Sequence, residues 1–200
     1  MTGLALGVRR AAWGVRALAV VLGAVLVALA AQVSVPLPGT PVPMTLQPMA
    51  VLLVGGLLGA RLGALSMILY LAMGAAGLPV FTPTVPLVGI ARLFGPTGGY
   101  LLAYPIAAFA VGWLTQPVVP PLRSGERGSG SEDWARVALG VFLGLVLIHL
   151  GGLAQLLILT GNLSAAARFG TVPFLLGDLL KIAVLVPVLV TLTPTIRARL

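Results

Sequence analysis

The chain of 200 residues has no cysteine, one histidine (His149), one lysine (Lys181) and four acidic residues. Without cysteine there is no disulfide, no thiolate nucleophile and no thiolate metal site. One histidine and four acids leave too few ligands for a metal cage, so no metal is expected. Charge is scarce as well: charged residues make up 8%, where a soluble domain carries roughly 25%. With 59% hydrophobic residues the chain cannot keep its surface wetted in water, and a polytopic membrane protein is expected. The net charge of +8 does not point to nucleic acid, because the basic residues stand at the ends of apolar runs and form no groove-sized patch. The phosphate-binding pattern G-x-x-x-x-G-K-[ST] is missing, since the only lysine follows two leucines, so this chain does not hydrolyse ATP. An intramembrane enzyme needs a nucleophile with a base, paired acids or metal ligands at one depth. Counted along the chain, His149 falls near the middle of its apolar run and Asp178 nearer an end, so no dyad of the two is expected and no enzyme. His149 reads as a hydrogen-bonded packing residue rather than a proton relay.

What the chain does have is long apolar runs with 26 glycines and 16 prolines, a mixture suited to close helix contacts and broken segments. The runs predict an all-α membrane protein, one domain of six spans over residues 1–200. The first span covers 11–31 behind Arg9, Arg10 and Arg16, and its Ala28-Leu29-Ala30 also resembles a signal-peptidase site. Ala24 and Ala28 make a small-xxx-small pair that lets another backbone approach, whether from the same bundle or from a second subunit. Residues 48–60 and 62–78 are two apolar segments hinged at Arg61, with Gly55, Gly59 and Gly63 spaced for tight contact. A fourth span runs over about 98–117, with Tyr100 and Tyr104 expected at interfacial depth. Residues 118–135 read as a flexible hydrophilic linker. The fifth span covers 136–160, and the sixth opens at Thr171 and ends before Arg197 and Arg199.

Two connections, 32–48 and 79–97, are rich in proline. The first carries no charge, and Pro36, Pro38, Pro41 and Pro43 forbid a regular helix, so it is expected to fold over the bundle mouth. The second carries only Arg92, which either anchors its loop at the headgroups or faces a ligand. Six spans put both termini on one side together with nine of the eleven arginines, leaving Arg92 and Arg168 opposite. That bias predicts cytoplasmic termini, with the proline-rich loops outside and capping a pocket.

The last apolar run holds Asp178, the only acid outside the linker, and Lys181. Three residues apart on a helix, they share a face. An ionisable residue at the centre of a membrane helix costs at least ~2.5–3.5 kcal/mol, so such residues face a cavity or a partner. The pair is either internal glue or a ready-made acceptor and donor for a polar ligand.

Several stretches, taken together and in order, resemble the BioY family, the membrane-embedded, biotin-binding S components of energy-coupling-factor transporters. They are Pro41-Val-Pro-Met-Thr-Leu-Gln47, Gly77-Leu-Pro-Val-Phe81, Gly95-Pro-Thr-Gly-Gly-Tyr100 and Pro173-Phe-Leu-Leu-Gly-Asp-Leu-Leu-Lys181, within a similarity from about Ala24 to about Ala183. The resemblance implies a multi-pass protein of a bacterial-type plasma membrane that binds biotin from outside. It also implies association with a T-type subunit and paired ATPases; a homo-oligomer stays open. Ala24 and Ala28 match the alanine pair that S components use against the T subunit. Asp178 and Lys181 match the family's ligand-binding pair, and Arg92 falls near a basic residue of the third loop.

Biotin's ureido ring carries two N–H donors and a carbonyl, which a carboxylate and an ammonium complement. Phe81, Phe174 and Tyr100 suit its apolar parts, while Arg92, Thr45, Gln47 and Asn162 lie in loops that could meet its carboxylate. Biotin is thus the expected ligand, and no cofactor is expected. The competing expectations are an S component for another vitamin and a stand-alone proton-coupled carrier.

Overall fold

Backbone groups cannot stay unpaired in hydrocarbon, so apolar runs resolve into helices. The computed structural model describes residues 2–116 and 130–200. In chain order, α1 covers Thr2–Gln32, β1 Ser34–Val35, β2 Met44–Thr45, α2 Gln47–Leu58, α3 Ala60–Ala75 and α4 Ala91–Phe94. Then come α5 (Gly98–Leu114), α6 (Gly130–Thr160), α7 (Leu163–Gly170), a 3-10 turn (Val172–Phe174) and α8 (Leu175–Arg197). Three of the described helices, α1, α6 and the α7–α8 unit, are long and apolar enough to cross a membrane by length and composition. The apolar helices α2, α3 and α5 are shorter, at 12, 16 and 17 residues.

Helix α5 runs through the centre and packs on α2, α3 and α6. Glycine makes this possible: a Cβ built on Gly55 of α2 would lie 2.5 Å from the carbonyl oxygen of Ala108 on α5. The break between α2 and α3 falls at Gly59, not at Arg61. Its φ of 85° lies in a region that costs most L-residues strain, and a glycine takes it freely. Helix α1 lies against α2 and α3. There Ala24 is fully buried within the chain and Ala28 half-buried, so the small-residue face turns inward at Ala24 and offers no free surface there.

Most of the expected linker, residues 118–129, lies outside the described residues. Residues 130–135 already belong to α6, where Glu132 and Asp133 sit in the first turn and favour the positive end of the helix dipole. The first proline-rich connection is pinned by a short antiparallel ladder, Ser34 opposite Thr45 and Val35 opposite Met44. It is tied across to α7, where the Thr40 hydroxyl donates to the Phe169 carbonyl at 2.6 Å. The second is tied to α1 by the Gln32 amide, which donates to the carbonyls of Pro79 (3.5 Å) and Phe81 (3.4 Å).

At the far end of the bundle α8 does not stop short of Arg197; it includes it. The Arg197 guanidinium donates to the carbonyls of Gly56 (2.5 Å), Leu57 (3.4 Å), Gly112 (3.3 Å) and Thr115 (2.9 Å), and to the Thr115 hydroxyl (2.7 Å). These are the carbonyls that α2 and α5 leave unpaired at their C-terminal ends. The same end holds Arg16, whose Nε donates to the Leu200 carbonyl at 3.0 Å.

Candidate ligand-binding site

The candidate site lies where α5, α6 and α8 meet beneath the two proline-rich connections. Its central group is Asp178, in the first turn of α8, where the helix dipole favours an anion. One carboxylate oxygen accepts from Lys181 Nζ at 2.7 Å, one turn along the same helix. The other lies 2.5 Å from Nε2 of His149 on α6. The dyad that counting along the chain argued against is therefore present. Residues after Thr160 do not run straight into α8 at the bundle end. They fold back as α7 and a 3-10 turn against α6, with Gly170 packed on Leu156 and on the Tyr100 hydroxyl. By the time α8 begins, the chain has descended to the level of His149, whose ring centroid is 6.3 Å from that of Phe174.

A cavity opens beside this cluster, lined by Asp178, Lys181 and His149, by Tyr100, Leu101 and Tyr104 of α5, and by Leu145 and Ile148 of α6. Phe174 closes one side, and Val42, Pro43, Thr45, Gln47 and Pro48 come from the first connection and the start of α2. Phe81, Thr82, Arg92 and Thr97 come from the second. Its free space is ≈ 600 Å³ with its mouth included, but the centre of a water-sized sphere reaches only ≈ 50 Å³ of it. The cavity is a narrow slot.

Arg92 is 1% exposed. Its guanidinium donates to the carbonyls of Val85 (2.5 Å), Leu87 (3.2 Å) and Thr82, and stands 5.9 Å over the Phe81 ring. Nε has no partner. Burial lowers the Arg92 pKa, with Tyr70 opposing, yet a guanidinium stays charged at any ordinary pH. Two cations, Arg92 and Lys181, face one anion, Asp178, so the lining carries one uncompensated positive charge.

Eight of the nine sequence-predicted ligand residues line this cavity: Asp178, Lys181, Arg92, Tyr100, Phe174, Phe81, Gln47 and Thr45. The polar ends of two are already engaged. Gln47 donates to the Tyr70 hydroxyl, and the Thr45 hydroxyl accepts from the Gln47 backbone N–H at 3.3 Å. Asn162 is not brought in. It is the N-cap of α7, its side chain accepting from the Ala165 N–H at 3.1 Å.

Tyr100 and Tyr104, expected at interfacial depth, are buried at 8% and 3% exposure. The first turn of α5 lies under the cover made by α7, and the Tyr100 hydroxyl donates to the Gly170 carbonyl at 2.5 Å. Sequence reasoning missed His149, Thr97 and Tyr104 as lining residues. Tyr104 was findable, because it follows Tyr100 by four residues and so shares its face.

An apolar helical bundle that buries a small mixed-charge cavity is a membrane-embedded binder of a small polar molecule. The chain belongs to the BioY family, whose model matches residues 1–198. It is 37% identical over 164 residues to the probable biotin transporter BioY of Pyrococcus horikoshii, spanning 82% of this chain and 87% of that one. With the biotin transporter BioY of Thermotoga maritima it shares 36% over 162 residues, 80% of this chain and 84% of the relative. The fold matches the crystal structure of the S-component for biotin from an ECF-type ABC transporter. The TM-score is 0.74 at 25% identity, covering 88% of this chain and 89% of that one. These relatives are transporters, not enzymes.

Proposed function

We propose that this protein is the substrate-binding membrane subunit for biotin uptake, working with a T-type subunit and the ATPases of an energy-coupling-factor transporter. The observation that carries this reading, beside the family, is the cavity's single uncompensated positive charge within largely apolar walls. Such a site is complementary to a monoanion with an apolar body and a polar head. Arg92 Nε, buried and without a partner among the described residues, donates to the ligand carboxylate in this reading. Asp178 and Lys181 meet the ureido ring, and Phe81, Phe174 and Tyr100 hold the thioether ring and alkyl chain. Thr45 and Gln47 shape the wall.

In this reading α1, α2, α3, α5, α6 and α8 all cross the membrane. Helix α2 is only about 18 Å long at 1.5 Å per residue, so the uncharged first connection completes the apolar depth. Arg16 and Arg197 share the end away from the cavity, which supports cytoplasmic termini and a cavity facing outward across the plasma membrane.

The test is titration of the purified protein with radiolabelled biotin, competed by biotin amide, thiamine and riboflavin. Saturable biotin binding is expected, weakened about 10- to 100-fold for the neutral amide because the charged hydrogen bond is lost. Competition by all three as strong as that by unlabelled biotin would overturn the reading. Biotin uptake in cells lacking the ATPases would overturn the assignment of partners.

A further inference from the structure

Two polar side chains of the cavity lining, His149 and Thr97, are left over once Arg92, Asp178 and Lys181 have been given their parts. His149 lines the cavity, yet its Nδ1 is buried with no partner among the described residues. Its other nitrogen is committed: Nε2 lies 2.5 Å from Asp178 Oδ2, and a carboxylate accepts only, so the hydrogen sits on Nε2. The charge of Asp178 is already matched by Lys181 at 2.7 Å, so the carboxylate needs no second cation. In that tautomer Nδ1 is a bare acceptor. The ring is also held, with Tyr100 at 6.2 Å and 81° on one side and Phe174 at 6.3 Å and 43° on another.

Resting on the biotin reading, we infer that His149 is a specificity-determining residue: Nδ1 accepts a hydrogen bond from one ureido N–H, and Asp178 fixes the tautomer that lets it. A cyclic urea presents donor, acceptor, donor. The Asp178–Lys181 pair offers one accepting side chain and one donor, so a second acceptor is needed, and His149 supplies it. A buried acceptor left empty costs about 1–3 kcal/mol, which a ligand donor relieves. Thr97 is the competitor for this part, since its hydroxyl also lines the cavity without a partner.

The experiment compares biotin with its two cyclic carbamates, in each of which one ring N–H is replaced by an oxygen of similar size. Wild type is expected to bind both carbamates about 10-fold or more weakly than biotin, because each leaves one acceptor facing an oxygen. In His149→Phe one of the two carbamates should bind within about 3-fold of biotin, and His149→Gln, which restores an acceptor, should recover the preference. Thr97→Val should leave both ratios unchanged.

Loss with only one carbamate in the wild type makes Asp178 the sole acceptor and overturns the inference; this arm decides even if His149→Phe fails to fold. Equal weakening of biotin and both carbamates by His149→Phe makes the histidine a packing residue and also overturns it. A collapse of the ratios in Thr97→Val transfers the role to Thr97. Failure of the wild type to bind biotin at all is a different result, and it removes the biotin reading itself.

Discussion

Arg92 and Arg197 meet the same problem at opposite ends of the bundle and solve it differently. Both guanidiniums are drawn into apolar protein, and neither has a carboxylate partner among the described residues. Arg197 gives every nitrogen to the ends of α2 and α5. It takes no part in the lining of the slot. Arg92 binds three carbonyls of its own connection but keeps Nε unpaired against a slot. One cation is fully used in joining helices. The other is held in position with part of its capacity free. A binding end and a locking end can thus be built from one residue type, and the difference lies in which donors are left over.

Substituting the two arginines sets this contrast at its sharpest. Arg197→Met takes the guanidinium from the carbonyls of Gly56, Leu57, Gly112 and Thr115, of which Gly56 and Gly112 keep only a long contact with the Thr115 hydroxyl, at 3.4 and 3.3 Å. At about 1–3 kcal/mol for each buried orphan, partly relieved by water at the bundle end, the expected loss is about 2–4 kcal/mol. That corresponds to a fall in melting temperature of about 5–10 °C, with the biotin affinity of the folded protein unchanged. Arg92→Met orphans the carbonyls of Val85, Leu87 and Thr82 and so should also lower the melting temperature, but unlike Arg197→Met it should weaken biotin about 10- to 100-fold. Biotin at 100 times the wild-type Kd should stabilise wild type and Arg197→Met by about 2.7 kcal/mol and Arg92→Met far less. Differential scanning fluorimetry with and without biotin reads both. If Arg92→Met melted as early as Arg197→Met and kept its affinity, Arg92 would be a staple too.

Two glycines sharpen the same comparison on a smaller scale. A Cβ on Gly112, near Arg197, would overlap the backbone of Gly59 and Ala60, which cannot yield without separating α5 from the α2–α3 break. Gly112→Ala is expected to cost about 1–3 kcal/mol with little change in affinity. A Cβ on Gly152 would instead overlap the ring of Tyr100, a side chain that can swing into the slot. Gly152→Ala should therefore cost the Tyr100–Gly170 hydrogen bond, about 1 kcal/mol, and weaken biotin several-fold, to about 10-fold. Thermal melts and titrations of both variants check this, and a folding defect in Gly152→Ala with normal affinity would contradict it.

The apolar runs made the helices legible, because runs of that length have no other stable form in hydrocarbon. The four motifs led to a ligand set of which eight members share one cavity. What escaped were matters of depth and direction. The break was sought at Arg61 because a charge marks a boundary in composition, whereas Gly59 makes it through its dihedral angles. His149 and Asp178 were judged too far apart because residues were counted as if α8 began at the bundle end. The downward return through α7 is tertiary packing on Leu156 and Tyr100, which no local pattern announces. Ala24 reads either as packing within the bundle or as a contact with a second subunit, and within this chain it is buried against α2 and α3.

Asn162 gives the smallest expected effect and bears on that same return. As a polar residue in an outer loop it was a reasonable candidate for the ligand carboxylate, but its side chain caps α7 through the Ala165 N–H. Capping residues contribute about 0.5–2 kcal/mol, typically ~1. Asn162→Ala should lower stability by about that amount, while Asn162→Asp, which also caps and adds a favourable charge at the helix start, should restore it. Neither variant should shift biotin affinity beyond about 2-fold, since α7 remains held by Tyr100 and Thr40 whatever the state of its first turn. An aspartate repelling a carboxylate ligand would weaken binding, so a marked loss in Asn162→Asp alone would put position 162 back at the cavity mouth and make α7 part of the binding end after all.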